Sequence, residues 1–341
     1  MPGSYSGASI NTNPNDADIV WNGLYNRWEL SFNSIGAGGY FIKTQTESIV
    51  PKTLDKVGLT SATPAAVAYS LRLLSSAYAG AAITVRRSSD NATQNIGFTP
   101  DGHLDTASLK AFVGSGNGYV ARWYDQSGNN FPAEQGNNAL QPVIVNSGVV
   151  ERINRLPAVY FNATHLLTRK EYMFTQGASL VGVAKGNNNT PSAFVTKTGT
   201  AAGSNPAHPG PFDYTNAGAE FTVGDANTAT YNSIHAGNST PRSTVNDQAG
   251  ESVYSFVIPS MGTYYNYVNG VQAGNQPVPA FADGGNSLML GNRNDGSSAA
   301  NFHTPEIILF NLALTTADRQ QVESAQSLFT FLLPYPYGGY R

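Results

Sequence analysis

The chain has 341 residues, 40% of them apolar, enough to bury a sizeable core in one large β domain or two smaller ones. Charged residues make up only 12%, about half the ~25% usual in soluble domains, and Gly, Asn, Ser and Thr fill the difference. A formal charge of −3 without a Lys/Arg run leaves no nucleic-acid footprint, and the lack of cysteine excludes disulfides, thiolate nucleophiles and cysteine-ligated zinc.

Such a composition disfavours long surface helices, which draw on Glu, Lys and Arg, and favours short strands joined by tight turns. Residues 1 to about 20 are Gly/Ser/Asn/Pro-rich and aperiodic, and read alone as a flexible arm that a neighbouring subunit would hold in place. The opening run MPGSYSGASINTNPNDAD has no basic residue and no apolar core, so it does not read as a secretory signal. No stretch approaches the ~18 apolar residues of a membrane span. The aromatic run from Ile19 to Val50, with Trp21 and Trp28, predicts two or three strands and a turn at Gly36 to Gly39.

TPAAVAYSLRLLSSAYAG predicts a short helix, with Thr63 as N-cap, Pro64 at the first helical position and Gly80 as the stop. Val67, Leu71 and Leu74 supply its apolar face. AAITVRRSSDNATQNIGF predicts strand, turn and strand. DTASLKAFVG predicts a helix capped by Asp105 and closed by Gly114, and GYVARWYDQSG a strand running into a turn. From about 140 to 310 the pattern is one of short strands: PAVYF, SLVGVA, AFVTKTG, AEFTVG, ESVYSFVI, GTYYNYVNG, NSLMLGN and PEIILFN. Asn269-Gly270 fits a hairpin loop that needs positive φ. TTADRQQVESAQSLF predicts a last helix capped by Thr315 or Thr316. Short strands at regular spacing with little helix predict an all-β fold, a sandwich or jelly roll of one domain. The expected organisation is an N-terminal arm and aromatic strand segment over 1–62, the jelly roll over 63–333, and a Tyr/Pro/Gly tail over 334–341.

The blocks AYSLRLLSSAYAGAAITVRRSSDNATQNIGF, VARWYDQSGNN, RLPAVYFN, FDYTNA and SLMLGNRNDGSSAANFHTPEIILFN carry a resemblance over roughly residues 64 to 332. In that order they resemble the catalytic domain of the family 54 α-L-arabinofuranosidases, a concanavalin A-like jelly roll. Similar YDQSG domains, and laminin-G-like modules, occur in phage tail and virion-surface proteins. The resemblance implies a retaining glycosidase with two carboxylates about 5 Å apart, a nucleophile and a general acid. The family's acid, an Asp in a late turn, falls at or beside Asp295 in GNRNDG, where Asn294 replaces a glycine. The family's Asp-Leu-Glu-Asn nucleophile run has its nearest counterpart in GDAN, with Ala226 where the glutamate belongs, and Glu220 is the nearest replacement. The cysteine pair that precedes FDY in the family reads Gly210-Pro211 here.

Two functions lead on these residues, ahead of a plain secreted lectin, which the opening run does not favour. With a carboxylate missing from the aligned position, the first is a non-enzymatic phage virion protein, a capsid decoration or tail component with a lectin-like domain. Its partners would be other virion subunits and host-surface glycans, its state a homo-oligomer and its location the virion surface, with no nucleic acid, membrane, metal or cofactor. The second is a glycosidase of the α-L-arabinofuranosidase type using Asp295 and Glu220. Ligand-binding candidates are Asp125, Asp213, Asn292, Arg293 and Asp295, because amide, carboxylate and guanidinium groups hydrogen-bond sugar hydroxyls. Each has a plainer use. Asp125 can close an Asx-turn on the backbone N–H groups of Ser127 and Gly128, Asp213 can cap a turn, and the 292–295 run can be a solvated loop. Trp123 reads as core and Tyr124 as its outward neighbour, while Tyr265 and Tyr267 share one face. The five histidines, at 103, 165, 208, 235 and 303, show no metal-ligand spacing.

Overall fold

The computed structural model describes residues 17–22, 27–32, 52–57, 65–172, 177–186, 192–197, 219–223, 233–236, 251–259, 262–278, 286–291 and 301–331. Two compact units divide the chain, Met1–Ile49 and Val50–Arg341. In the first, β1 (Ala17–Asn22) and β2 (Arg27–Phe32) form an antiparallel pair with Trp21 opposite Trp28. The expected turn at Gly36 to Gly39 lies outside the described residues, as does the tail from 334.

The second unit starts earlier than the sequence pattern indicates. A 3-10 turn at Thr53–Asp55 carries Leu54 and, just beyond it, Val57 into the core, and Leu54 N–H donates to the Leu74 carbonyl at 2.9 Å. Strands β3 (Ala65–Ser70), β4 (Ile83–Arg87) and β5 (Thr93–Ile96) precede helix α1 (Thr106–Val113). They are followed by β6 (Gly118–Trp123), β7 (Ala133–Glu134), β8 (Val143–Asn146), β9 (Val149–Val150), β10 (Arg152–Ile153), β11 (Leu156–Pro157) and β12 (Val159–Asn162). Next come β13 (Leu166–Tyr172), β14 (Gly177–Gly186), β15 (Ser192–Lys197), β16 (Ala219–Val223) and β17 (Ser233–Ala236). The chain ends in β18 (Glu251–Pro259), β19 (Gly262–Val268), β20 (Val271–Val278), β21 (Asn286–Leu290), β22 (Asn301–Phe310) and helix α2 (Thr316–Phe331).

Eighteen of these strands share one hydrogen-bonded sheet, while β10 and β11 pair separately. One layer runs β5-β4-β6-β7-β13-β21-β15-β16-β17. The other centres on β22, flanked by β14, β18, β19 and β20 on one side and by β3 and β12 on the other. Strand β8 joins the layers by pairing with both β6 and β12. Between them lies a core that includes Tyr69, Val85, Trp123, Phe161, Leu180, Val195, Tyr254 and Leu290. A second cluster, with Ala68, Val181, Val253, Ile308, Phe310 and Val322, fills the space between the back of the second layer and α2. This is an all-β sandwich, as the strand pattern predicts.

The helix expected from Thr63 to Gly80 is not formed over the described residues 65–80; their first part is β3, which pairs antiparallel with Glu306–Phe310 across a register shift between Leu309 and Phe310. All six residues of β3 are buried, with Val67 and Tyr69 in the inter-layer core and Ala65 and Ala68 in the cluster under α2. A strand covered on both faces carries no alternation, so the i, i+4, i+7 spacing of its apolar residues passes for a helical stripe. The other short-range signals hold. Asp105 accepts from Ser108 N–H at 2.9 Å, and Thr315 Oγ1 accepts from Asp318 N–H at 3.2 Å. Asn269 and Gly270 turn β19 into β20 at φ 48° and 77°.

Candidate functional site

The strand registers place β16, which carries Glu220, two strands from β21, after which Asp295 follows in the sequence. Val195 of β15 stands opposite Phe221 of β16 on one side and Leu290 of β21 on the other. Glu220 is therefore one residue from a position only two strand spacings, about 10 Å, from the end of β21. Gly291 follows at once, buried, at φ 93°. A Cβ on it would sit 2.1 Å from Phe161 Cδ1 and 2.8 Å from the Thr164 carbonyl oxygen, so only glycine fits this exit from the strand. Asp295 is four residues further on, within about 14 Å of Gly291 even if the chain were fully extended. Asp213, Asn292, Arg293 and Asp295 lie outside the described residues, as does Ala226, and of Glu220 the backbone alone is described.

Asp125, by contrast, is fully described, and its carboxylate faces the protein. Oδ1 accepts from the N–H groups of Ala68 at 2.8 Å and Ser127 at 2.9 Å. Oδ2 accepts from Ser127 Oγ at 2.8 Å and from the Phe131 N–H at 3.1 Å. The turn thus bonds Ser127 but reaches across to β3 and on to Phe131, where the sequence suggests Gly128. Burial pushes the carboxyl pKa up, against the pull of those N–H donors. Next to it, Gln126 bridges to the Ser70 and Arg72 carbonyls and the Leu74 N–H. The YDQSG run is a knot that ties the exit of β6 to β3. Trp123 is fully buried, and Tyr124 is half-buried beside it. Tyr267 lies under α2, with the Arg319 guanidinium 3.6 Å from its ring centre.

Three features have no counterpart among the sequence-derived candidates. The first is a buried ion pair. Arg72 donates from Nε at 2.6 Å and from Nη2 at 2.8 Å to the two oxygens of Glu306, and Ser70 Oγ and Thr53 Oγ1 complete the network. A charged residue inside each of two apolar runs, LRLL and PEIILFN, is the signal that could have revealed it. The second is His303, stacked on Tyr160 at 4.4 Å and within 3.0 Å of the Glu151 carboxylate. Burial lowers the His303 pKa despite Glu151, which pulls the other way. The third is His165, half-buried, with Nδ1 sealed from solvent and unpartnered. Burial alone lowers its pKa. Among the described residues, no group of three or more His, Asp or Glu side chains could hold a metal ion, and no helix is long and apolar enough to cross a membrane.

With this geometry established, comparison with known proteins gives a family. Residues 57–254 match the family model described as Alpha-L-arabinofuranosidase B, catalytic. Among solved structures, an arabinofuranosidase complexed with arabinofuranosyl-alpha-1,2-xylobiose superposes with a TM-score of 0.61 at 14% identity, over 78% of this chain and 63% of that one. A mutant of a family 54 α-L-arabinofuranosidase soaked with 4-nitrophenyl α-L-arabinofuranoside gives 0.59 at 14%, with the same coverage. A family 54 enzyme soaked with a cyclic sulfate inhibitor gives 0.56 at 15%, again over 78% and 63%. The chain therefore spans less than two thirds of the length of these proteins, and the likeness to them establishes the fold. No curated protein sequence matches it.

These findings correct the expectation of a non-enzymatic virion protein. The matched model is that of a catalytic domain, and it runs from Val57 through β17 into the first residues of β18. Capsid, tail and virion-surface roles gain no support from any comparison. The non-enzymatic part of that expectation rested on Ala226 occupying the aligned nucleophile position, and the virion part on resemblance and on an opening run that does not read as a secretory signal. At 14% identity a four-residue run cannot be aligned securely, because the loop lengths between strands vary.

Proposed function

This chain belongs to the family of α-L-arabinofuranosidase B catalytic domains, and from that premise we propose that it is a retaining glycoside hydrolase that removes arabinofuranosyl units from a glycan. The observation that carries the proposal is the family match across 57–254, which includes β16 and the strands that pack around it. Two carboxyl groups about 5 Å apart are needed, one to protonate the leaving oxygen and one to attack the anomeric carbon. Asp295 is the acid and Glu220 the nucleophile in this reading. It is supported by the shared register of β16, β15 and β21, which brings their backbones toward one region of the first layer. Attack by Glu220 expels the leaving alcohol, which takes its proton from Asp295. Water, deprotonated by the same Asp295, then cleaves the glycosyl ester and releases arabinose with retained configuration.

Hydrolysis of 4-nitrophenyl α-L-arabinofuranoside tests the assignment. Asp295→Asn and Glu220→Gln should each lower kcat by at least about a hundredfold while the fold, read by circular dichroism, is kept. Azide should restore release of nitrophenol to Glu220→Ala, because a small anion can fill the space of the lost carboxylate. Wild-type rates in both carboxylate variants would remove these two residues from the mechanism.

A further inference from the structure

His165 immediately precedes β13, and the β13–β21 register, Leu166 opposite Leu290, carries it to the position opposite Gly291. The pseudo-Cβ of Gly291 is 2.8 Å from the carbonyl of Thr164, the residue before His165, which agrees with that placement. His165 therefore stands beside the point where the chain leaves β21 for Asp295. Its backbone is held on both sides. The His165 N–H donates to the Leu140 carbonyl at 3.0 Å, and Gln135 Nε2 donates to the His165 carbonyl at 3.2 Å. Gln135 is itself fixed, since its carbonyl accepts from Gln141 Nε2 at 2.8 Å and Gln141 Oε1 accepts from Arg86 Nε at 2.7 Å. Such a chain of buried polar groups makes a rigid support.

The ring edge that this support presents follows from burial. Nδ1 is enclosed and has no partner, whereas the residue keeps part of its surface exposed. An enclosed N–H without an acceptor costs more than an enclosed bare lone pair, so the proton belongs on Nε2. Protonating Nδ1 as well would bury an unpaired N–H on a cation, in keeping with the lowered pKa. His165 is thus a neutral imidazole whose other nitrogen, Nε2, carries the proton, and the described structure gives that donor no protein acceptor.

Building on the glycosidase reading above, we propose that His165 is a sugar-contacting residue of this site, donating from Nε2–H to a hydroxyl of the arabinofuranosyl unit. Such a contact binds ground state and transition state alike. Its loss should raise KM for 4-nitrophenyl α-L-arabinofuranoside by about three- to tenfold in His165→Ala, with kcat little changed. His165→Gln, which keeps a donor, should recover part of that loss.

A second readout does not depend on turnover. In long-range proton–nitrogen spectra of the wild-type histidines, the His165 signals, assigned by their absence from His165→Gln, should show the Nε2–H tautomer and shift on addition of L-arabinose. If the wild type hydrolyses the substrate but KM is unchanged in both variants and L-arabinose leaves the His165 signals in place, this inference fails and the glycosidase reading stands. If the signals shift but no substrate is hydrolysed, the contact stands and the hydrolase reading fails. Neither hydrolysis nor a shift overturns both. Should the variants fail to fold, the His165 ring signals are assigned in the wild type by through-bond correlation from its own backbone, and that spectrum decides.

Discussion

Asp125 shows how one carboxylate can be consumed by architecture. Its two oxygens satisfy three backbone N–H groups and one hydroxyl, from β3 and from the loop after β6. Removing it strands the N–H groups of Ala68, Ser127 and Phe131, each at about 1–3 kcal/mol when buried without a partner. We therefore expect Asp125→Ala to lose at least ~3 kcal/mol in urea denaturation, and Asp125→Asn, which keeps one acceptor oxygen, to lose less. Two histidines set a pH dependence. In His165 and His303 burial holds the folded-state pKa below the ordinary 6.5, so the unfolded chain binds protons first as acid is added. Their contribution to stability is complete above pH 6.5 and is lost as the pH falls through the lowered values. Urea midpoints at pH 7.5 and 5.5 should show that loss, and it should shrink in the double variant His165→Gln/His303→Gln.

At the scale of elements, the Arg72–Glu306 pair joins β3's exit to the middle of β22 beneath Phe329 of α2, whose ring lies 5.0 Å from the Arg72 guanidinium. Both side chains are essentially inaccessible, so breaking the pair leaves one charge without compensation. Glu306→Leu or Arg72→Met alone should cost about 3–5 kcal/mol, and the double replacement Arg72→Met/Glu306→Leu should recover most of it. A double-mutant cycle by chemical denaturation measures this, and additive losses would contradict the pairing as described. The same region shows why sequence reading failed here. β3 is covered by the inter-layer core on one side and by the second cluster, with Leu54, Val57 and Leu74, on the other, and such a strand has the composition of a buried helix. Elements bounded by their own chemistry were legible: α1 by Asp105 and Gly114, the β19–β20 hairpin by Asn269-Gly270, and α2 by Thr315.

Across the whole molecule, the jelly-roll class could be read from short strands punctuated by Gly and Asn, because tight turns need those residues whatever the function. The site was less legible. Asp295 is a candidate by resemblance alone, and Gly291 opens the same GNRNDG run, whereas the place of His165 opposite Gly291 emerges only once β13 and β21 are paired. Likewise the buried Glu306 and Arg72 are 234 residues apart and meet only through strand order. The central claim is that this sandwich hydrolyses arabinofuranosides with retention. Its most direct test is to incubate the wild-type chain with 4-nitrophenyl α-L-arabinofuranoside in buffer containing methanol and to identify the first-formed glycoside by NMR. The account predicts release of nitrophenol and formation of methyl α-L-arabinofuranoside. Nitrophenol release no faster than in an enzyme-free control, or formation of the β anomer, would contradict it.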